Sequence, residues 1–274
     1  MLGILADRYG PWAVIAGGSE GVGVSFARRL AANGINLVLL ARKPEPLAET
    51  AWAVRAEFGV EVRTLSVDLT APDVLEQVRA LTDDVAVGML IYNAGTDNVA
   101  RDMLDRSVAA AERVIALNVL GQTRFAHHFG GAMRARGRGG IILVGSLLAY
   151  AGGGGMTAYA AAKAFSHTLA KGLWHELRPH GVDVLGLVLS ATDTPAARRL
   201  GLKMDDPVIV ASKPYLVADE GFAHLGKEPL WVVSEAADFA GYLKSLSDAE
   251  AVELVSQSAA AMHSGGGENE GNAK

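Results

Sequence analysis

Short apolar runs alternate with stretches of helical length from residue 12 to about residue 190, and that alternation predicts βαβ units on a parallel sheet. The runs are Trp12–Ala16, Asn36–Leu40, Val62–Val67, Met89–Tyr92, Ile141–Gly145 and Asp183–Leu189, with a seventh near Leu230–Val233. Most are apolar nearly throughout, as expected of strands that helices cover on both faces. Amphipathic stretches at Val24–Asn33, Leu47–Phe58, Asp73–Leu81, Ser107–Arg136 and Ala158–Arg178 separate them, the first stopped by Gly34, a residue suited to a helix C-terminus. The pattern predicts an α/β fold: a doubly wound parallel sheet in three α/β/α layers, forming one domain over residues 1–263. Ser190–Leu230 breaks the rhythm with four prolines and mixed polarity. A loop of that length in a compact domain is usually functional, so it is expected to be a substrate lid. Ser247-x-x-Glu250 is a capping box ahead of a last helix, Asp248–Met262, and the Gly-rich 264–274 stretch is expected to be a disordered tail.

Composition narrows the possibilities. Of 274 residues, 50% are hydrophobic and 20% charged, with a mean hydropathy of +0.22, enough apolar material for a continuous core. Runs such as Leu37–Ala41 and Ile141–Val144 fall far short of the ~18 residues a membrane span needs, so no integral membrane segment is expected. With 25 basic and 30 acidic residues, net charge −5 and pI about 5.8, no basic footprint for nucleic acid is present. The N-terminus lacks the pattern of a signal peptide and the chain has no cysteine, which makes the cytoplasm the expected location.

The first strand runs into Ala16-Gly17-Gly18-Ser19-Glu20-Gly21-Val22-Gly23 and then a helix. Such a turn offers unpaired backbone N–H groups at the positive end of a helix dipole, where a pyrophosphate binds. The spacing is Gly-x-x-x-Gly-x-Gly, yet the physical need is that of any dinucleotide loop: no Cβ where backbone meets phosphate or strand meets helix. A tight turn rich in glycine for local reasons reads the same way. Gly17-Gly-Ser19-Glu-Gly21 also satisfies the nucleophile elbow of a serine hydrolase using Ser19. That elbow takes an N–H from a loop after an earlier strand, and only one strand precedes Ser19 here. At the end of the second strand, Leu40-Ala41-Arg42-Lys43 puts two cations where an acidic residue would select NAD, which favours the 2′-phosphate of NADP(H). NAD(H) remains the alternative, because solvated charges on a loop look the same and Glu20 adds a negative charge nearby.

Tyr159-Ala-Ala-Ala-Lys163 sets a phenol and an ammonium at i and i+4 on one helix face. A free tyrosine has a pKa of ~10, so bringing it toward 7 takes ~4 kcal/mol of preferential stabilisation of the anion. A nearby lysine and a cationic nicotinamide ring can supply that, and such a tyrosine exchanges a proton with a carbonyl oxygen. In isolation the pair is also ordinary surface-helix chemistry. Ser146 stands at the carboxyl end of the Ile141–Gly145 strand, where open parallel sheets place ligands, or serves there as a plain turn residue. Asn118, between Leu117 and Val119 in a predicted helix, must satisfy a buried amide; it either caps a kink or holds a water.

Together these residues resemble the classical short-chain dehydrogenase/reductase superfamily, in the right order from about residue 12 to residue 195, with a Rossmann-like sheet. Gly17, Gly21 and Gly23 are similar to its cofactor loop, Asn93-Ala94-Gly95 to its Asn-Ala-Gly motif, and Asn118, Ser146, Tyr159 and Lys163 to its catalytic tetrad. The resemblance implies an NADP(H)-dependent oxidoreductase of an alcohol/carbonyl substrate. Tyr159 would be the general acid/base, Lys163 would lower its pKa and bind the nicotinamide ribose, Ser146 would polarise the substrate and Asn118 would fix a water in a proton relay. Asp68, in Val67-Asp68-Leu69, looks like the adenine contact. Ala16 stands where the family usually has threonine, and Leu189-Ser190 replaces the Pro-Gly of its Pro-Gly-x-x-x-Thr motif, although Thr194 is kept. Those residues border the nicotinamide, with Thr192 and Thr194 expected against its carboxamide. Tyr9-Gly-Pro-Trp-Ala-Val14 is similar to the start of the branch containing 17β-hydroxysteroid and long-chain 3-oxoacyl reductases, and the Ala-rich stretches in Ser107–Arg136 and Ala158–Arg178, which pair in relatives of the family, imply a homodimer or homotetramer.

Leu202, Met204, Val208, Ile209, Val210, Tyr215, Leu216 and Phe222 in the expected lid suggest an apolar substrate such as a steroid, fatty-acyl or terpenoid ketone, or else a small core of their own. His127-His128 and Trp174-His175-Glu176 lack paired ligand spacing, so no metal is expected. Gly152–Gly155, just before the Tyr159 helix, is either a hinge or a connector. A catalytically silent nucleotide-binding regulator is the alternative to an enzyme.

Overall fold

The computed structural model of the chain describes residues 4–95, 101–199 and 211–263. In chain order the elements begin with α1 (Ile4–Tyr9), β1 (Trp12–Ala16), α2 (Gly21–Ala31), β2 (Asn36–Ala41), α3 (Pro44–Phe58), β3 (Val62–Ser66), α4 (Val74–Arg79) and β4 (Val87–Tyr92). They continue with α5 (Val108–Ile115), α6 (Gln122–Arg136), β5 (Gly139–Ser146), α7 (Thr157–Leu177), β6 (Val182–Leu189), α8 (Pro195–Arg199), α9 (Pro214–His224), β7 (Leu230–Val232), α10 (Ala237–Ser245) and α11 (Asp248–His263). Among the described residues seven strands form one sheet, all parallel, in the order β3-β2-β1-β4-β5-β6-β7.

Alternate residues of each strand feed two apolar layers. Ile15, Leu39, Ile91, Ile142, Val144 and Leu187 face the side carrying α2, α3 and α9, where Phe26, Leu30, Val54 and Val217 meet them. Val14, Val38, Leu90, Ile141, Leu143 and Val184 face α4, α6 and α7, against Val78, Phe125, Phe129, Met133 and Ala170. The fold is therefore the Rossmann-like three-layer single domain that the sequence predicts. From β1 the chain builds outward to β2 and β3, then returns to add β4 on the other side of β1. That reversal opens a crevice at the carboxyl ends of β1 and β4, where such sheets bind ligands. Among the described residues no helix is long and apolar enough to cross a membrane.

Three departures from the sequence reading have local causes. The stretch Ser107–Arg136 is not one α-helix: α5 and α6 are separated by a π-turn over Ala116–Gly121. The Tyr92 hydroxyl, buried under the turn, donates to the Leu117 carbonyl oxygen at 2.7 Å, and a Cβ on Gly121 would overlap that hydroxyl. The wider turn makes room for a tyrosine that belongs to a strand, which no periodicity within the helix reveals. Second, the expected lid is not continuous loop. α9 lies within it, packs on α2, and buries Val217 and Ala218 completely, with Phe222 edge-on to Phe26 at 5.5 Å between ring centroids. Gly221 interrupts its apolar pattern because Phe26 and Leu187 press to within 3.1–3.2 Å of where a Cβ would stand. Leu216 is half-buried and Tyr215 exposed, whereas Leu202, Met204, Val208, Ile209, Val210 and the 264–274 tail lie outside the described residues. Third, α1 was not foreseen; the Tyr9 hydroxyl donates to buried Asp183 at 2.7 Å, tying α1 to β6.

The capping box forms as expected: the Ser247 N–H donates to Glu250 Oε2 at 2.9 Å and the Glu250 N–H to Ser247 Oγ at 3.4 Å. α11 then docks beside the glycine run, with Ser256 Oγ accepting from the Gly154 N–H at 2.8 Å and Val255 against Gly153.

Candidate active site

The chain leaves β1 through Gly17, whose φ of +85° is a left-handed value, and enters α2 at Gly21, φ +58°. Close approach, as well as dihedral freedom, demands glycine here. A Cβ on Gly17 would stand 2.8 Å from the Ala94 amide nitrogen, and one on Gly23 would overlap the Gly17 carbonyl oxygen. That oxygen accepts from Asn93 Nδ2 at 2.9 Å, while Asn93 N and Ala94 N both donate to the Ala16 carbonyl oxygen. Asn93-Ala94-Gly95 is thus knitted to the loop after β1. Thr50 on α3 pins the other side by donating to the Ser19 carbonyl oxygen at 3.1 Å. Glu20 occupies the N-cap position of α2 without capping it by its side chain, which leaves the first N–H groups of the helix for a ligand. Gly23→Ala is expected to cost about 1–3 kcal/mol through backbone displacement; a thermal unfolding midpoint that falls by several degrees checks this.

A cavity of about 440 Å³ lies over this loop. Of the sequence-derived cofactor candidates, Gly17, Ser19, Glu20, Gly21, Val22, Arg42, Lys43, Leu69, Asn93, Ala94, Gly95 and Thr194 line it. Gly23 lies just beneath, supporting the loop. Asp68 is outside the lining: its carboxylate accepts from the Thr70 N–H at 2.9 Å and the Thr70 hydroxyl at 2.8 Å, and faces Arg113 at 4.0 Å. Thr192 is also absent from it, bridged to Ser212 and donating to the Ser190 carbonyl oxygen at 3.2 Å. Ala41, Leu117, Ala196 and Arg199 complete the wall, and the sequence reading missed all four. Arg42 and Lys43 are exposed on the pocket rim.

Asn118 and Lys163 converge on Gly95, Tyr159 stands beside Lys163 on α7, and Ser146 ends β5. The π-turn buries Asn118 completely; its Nδ2 donates to the Val114 carbonyl oxygen at 3.0 Å, and its Oδ1 accepts nothing from the described residues. That Oδ1 and Lys163 Nζ converge on Gly95: a Cβ there would overlap the amide oxygen and stand 2.7 Å from the ammonium nitrogen. Lys163 is 1% exposed, donates to the Val144 carbonyl oxygen at 2.8 Å, and lies 5.5 Å from the centroid of the half-buried Tyr159 ring. Burial pushes its pKa down to about 8. Ser146, two residues beyond Val144 at the end of β5, accepts from the Leu148 N–H at 3.3 Å.

One turn further along α7 stands His167, which no motif singled out. It is 5% exposed, packs 5.3 Å from the Tyr150 ring, and its Nε2 would be 2.5 Å from a Gly145 Cβ. Burial first, then the charges of Lys163, Lys171 and Lys244, push its pKa down to about 4. A neutral imidazole here spares Lys163 a second buried cation.

The comparisons with known proteins agree with this geometry. Residues 11–205 match the pattern of the short chain dehydrogenase family. The chain is 32% identical over 232 residues to a 7beta-hydroxysteroid dehydrogenase of Clostridium sardiniense, covering 84% of this chain and 87% of that one. It is 31% identical over 206 residues to a very-long-chain 3-oxoacyl-CoA reductase of Podospora anserina, covering 73% and 61%. A solved structure from work on 7beta-hydroxysteroid dehydrogenase stereoselectivity superimposes with a TM-score of 0.86 at 28% identity, covering 92% of this chain and 98% of the other. A short-chain dehydrogenase of Sphingobium yanoikuyae, solved with NADPH, gives 0.73 at 32% identity, covering 86% and 96%. A glycine-cradled crevice at the sheet reversal, a buried lysine beside a tyrosine on α7, and these likenesses over most of the chain lead to one conclusion: the chain belongs to the short chain dehydrogenase family and is an oxidoreductase of that family.

Proposed function

We propose that this protein uses NADP(H) to interconvert an alcohol and a carbonyl on an apolar carbon skeleton, with Tyr159 as the acid/base. The observation that carries the reading is the buried Lys163 ammonium, 5.5 Å from the Tyr159 ring and facing Gly95 at the end of the pocket over the phosphate loop. NADP(H), when bound, supplies or takes the hydride. The residues present fit the cofactor, because Gly17 and Gly23 let the loop fold tightly beneath the cavity and the α2 N-terminus is uncapped by side chains. Gly17, Ser19, Gly21 and Val22 would hold the pyrophosphate, Arg42 and Lys43 the 2′-phosphate, and Leu69, Asn93, Ala94 and Thr194 the walls around it.

The Tyr159 hydroxyl gives its proton to the substrate oxygen in reduction and takes it back in oxidation. Lys163 favours the phenolate by Coulomb attraction, which a nearly dry site strengthens. Ser146 Oγ, at the strand end, orients the substrate oxygen by hydrogen bonding. Asn118 Oδ1 is the acceptor that completes a proton path past Lys163. The hydroxysteroid and 3-oxoacyl relatives support an apolar ketone such as a steroid or fatty-acyl substrate. Turnover restricted to sugars or polyols in a substrate panel would sink that part of the reading. A serine hydrolase using Ser19 is set aside by the family membership. Exposed Val108, Ile115, Leu120 and Phe165 on α5, the π-turn and α7 favour a homo-oligomer.

Arg42→Ala tests the cofactor assignment. An exposed charged hydrogen bond contributes about 1.5 kcal/mol, so the Kd for NADPH should rise about tenfold while that for NADH stays within about twofold. Equal weakening of both dinucleotides by titration would remove Arg42 as the reader of the 2′-phosphate and reopen NAD(H).

A further inference from the structure

Part of the cavity wall comes from the segment after β6. Arg199, at the end of α8, reaches back to Glu20 on the loop, 179 positions earlier: Nη1 donates to Oε2 at 2.8 Å and Nη2 donates to Oε1. Two N–H···O bonds onto one carboxylate fix orientation as well as distance. The same hydrogen bonds are the main reason that the Glu20 carboxyl is held below the usual carboxylate range, so the pair is charged at neutral pH. The negative charge that would repel a phosphate is therefore already answered. Two other contacts hold the segment down. The Thr194 methyl sits where a Cβ on Gly21 would be only 2.7 Å away, and Thr192 bridges to Ser212. Glu20 and Arg199 both line the cavity, with their side chains 27% and 48% exposed. Water reaches the pair, so it can part and re-form.

We propose that Glu20 and Arg199 are a latch that straps the segment after β6 across the dinucleotide pocket and sets how fast the nucleotide leaves. This rests on the dinucleotide reading of the site given above. The two side chains line the same cavity and join the phosphate loop to the segment after β6, so a molecule seated on the loop escapes faster once they part. Arg199 is then a positioning residue for nucleotide exchange and takes no part in the proton step. In many enzymes of this kind of design, release and not chemistry limits turnover.

The test is stopped-flow release of NADPH, followed by its own fluorescence, from the wild type, Arg199→Ala, Glu20→Gln and the double variant. A half-exposed ion pair supports an acceleration of about fivefold in each single variant. The double variant should be no faster than the singles, because either change already opens the latch. Unchanged release rates overturn the proposal. So does a double variant restored to the wild-type rate, which is the signature of Arg199 merely neutralising Glu20. Hydrogen exchange without nucleotide gives a second readout: the Arg198 amide, bonded to the Thr194 carbonyl oxygen at 3.0 Å, should exchange faster in Glu20→Gln, and unchanged exchange counts against the latch. Wild-type protein that binds neither NADPH nor NADH overturns the functional reading and the latch together, whereas normal binding with unaltered release overturns the latch alone.

Discussion

Tyr159→Phe is expected to lower kcat by about 10²- to 10⁴-fold, while the Kd for NADPH stays within about twofold. The substitution removes one oxygen from a half-buried ring and leaves the phosphate loop, Arg42 and the Asn93–Gly95 wall untouched. Loss of turnover with binding retained places the proton on the phenol. Retained turnover would transfer the acid/base role elsewhere. A regulator that had kept the fold without catalysis would lose nothing in either measurement.

Lys163→Met should produce the second large effect, and in two opposite directions. Activity is expected to fall at least about 100-fold, because the phenolate loses its cation. Stability, by contrast, is expected to rise. Burial brings the lysine from a pKa of 10.5 down to about 8, so keeping it charged at pH 7 costs the native state about 3 kcal/mol. Losing the bond to the Val144 carbonyl oxygen returns about 1 kcal/mol or somewhat more of that. The net gain of about 1–2 kcal/mol corresponds to a Tm about 3–6 °C higher for a domain of this size. The sign of the pH dependence follows from the depressed pKa. Between pH 8 and 10.5 the unfolded chain still holds a proton that the native lysine has shed, so wild-type stability rises with pH across that window. The variant's advantage over wild type should therefore be constant below about pH 8 and shrink above it. Thermal unfolding of the two proteins from pH 6 to 10.5 checks this, and a Tm lower than wild type at pH 7 would show that the lysine's contacts outweigh its desolvation. Catalytic residues held at a cost to stability are a common trade.

The legible parts of this chain are those in which the chemistry and the geometry lie close together in sequence. Most of the strands are buried on both faces, so continuous apolar runs announce them. The phosphate loop needs glycine at particular places in eight consecutive residues, and Tyr159 and Lys163 share a helix face because they are four apart. What escaped depends on partners far away in the chain. The π-turn exists because Tyr92 comes from β4, and only Gly121 hints at it. α9 hides because Gly221 serves packing against Phe26 and Leu187 and so spoils the helical pattern. Glu20 reads as an unwelcome charge until Arg199 is seen beside it. Asp68 and Thr192 also fit motifs, yet neither lines the cavity: Asp68 is bonded to Thr70 and faces Arg113, and Thr192 donates to the Ser190 carbonyl oxygen.

The order in which the sheet is assembled bears on the birth of the protein. β1 meets β2 after one short connection, but the crevice forms only when β4 joins β1, pairing Ala16 with Tyr92, and its far wall arrives only with Thr194 and Arg199. A nascent chain on the ribosome therefore carries its phosphate loop for well over a hundred residues of synthesis before there is a complete pocket to occupy. Ligands stabilise only the state they bind, and long-range pairings such as this one close slowly. Nucleotide in the cell thus cannot rescue the early half of the chain during translation; it can only secure molecules that have already been completed.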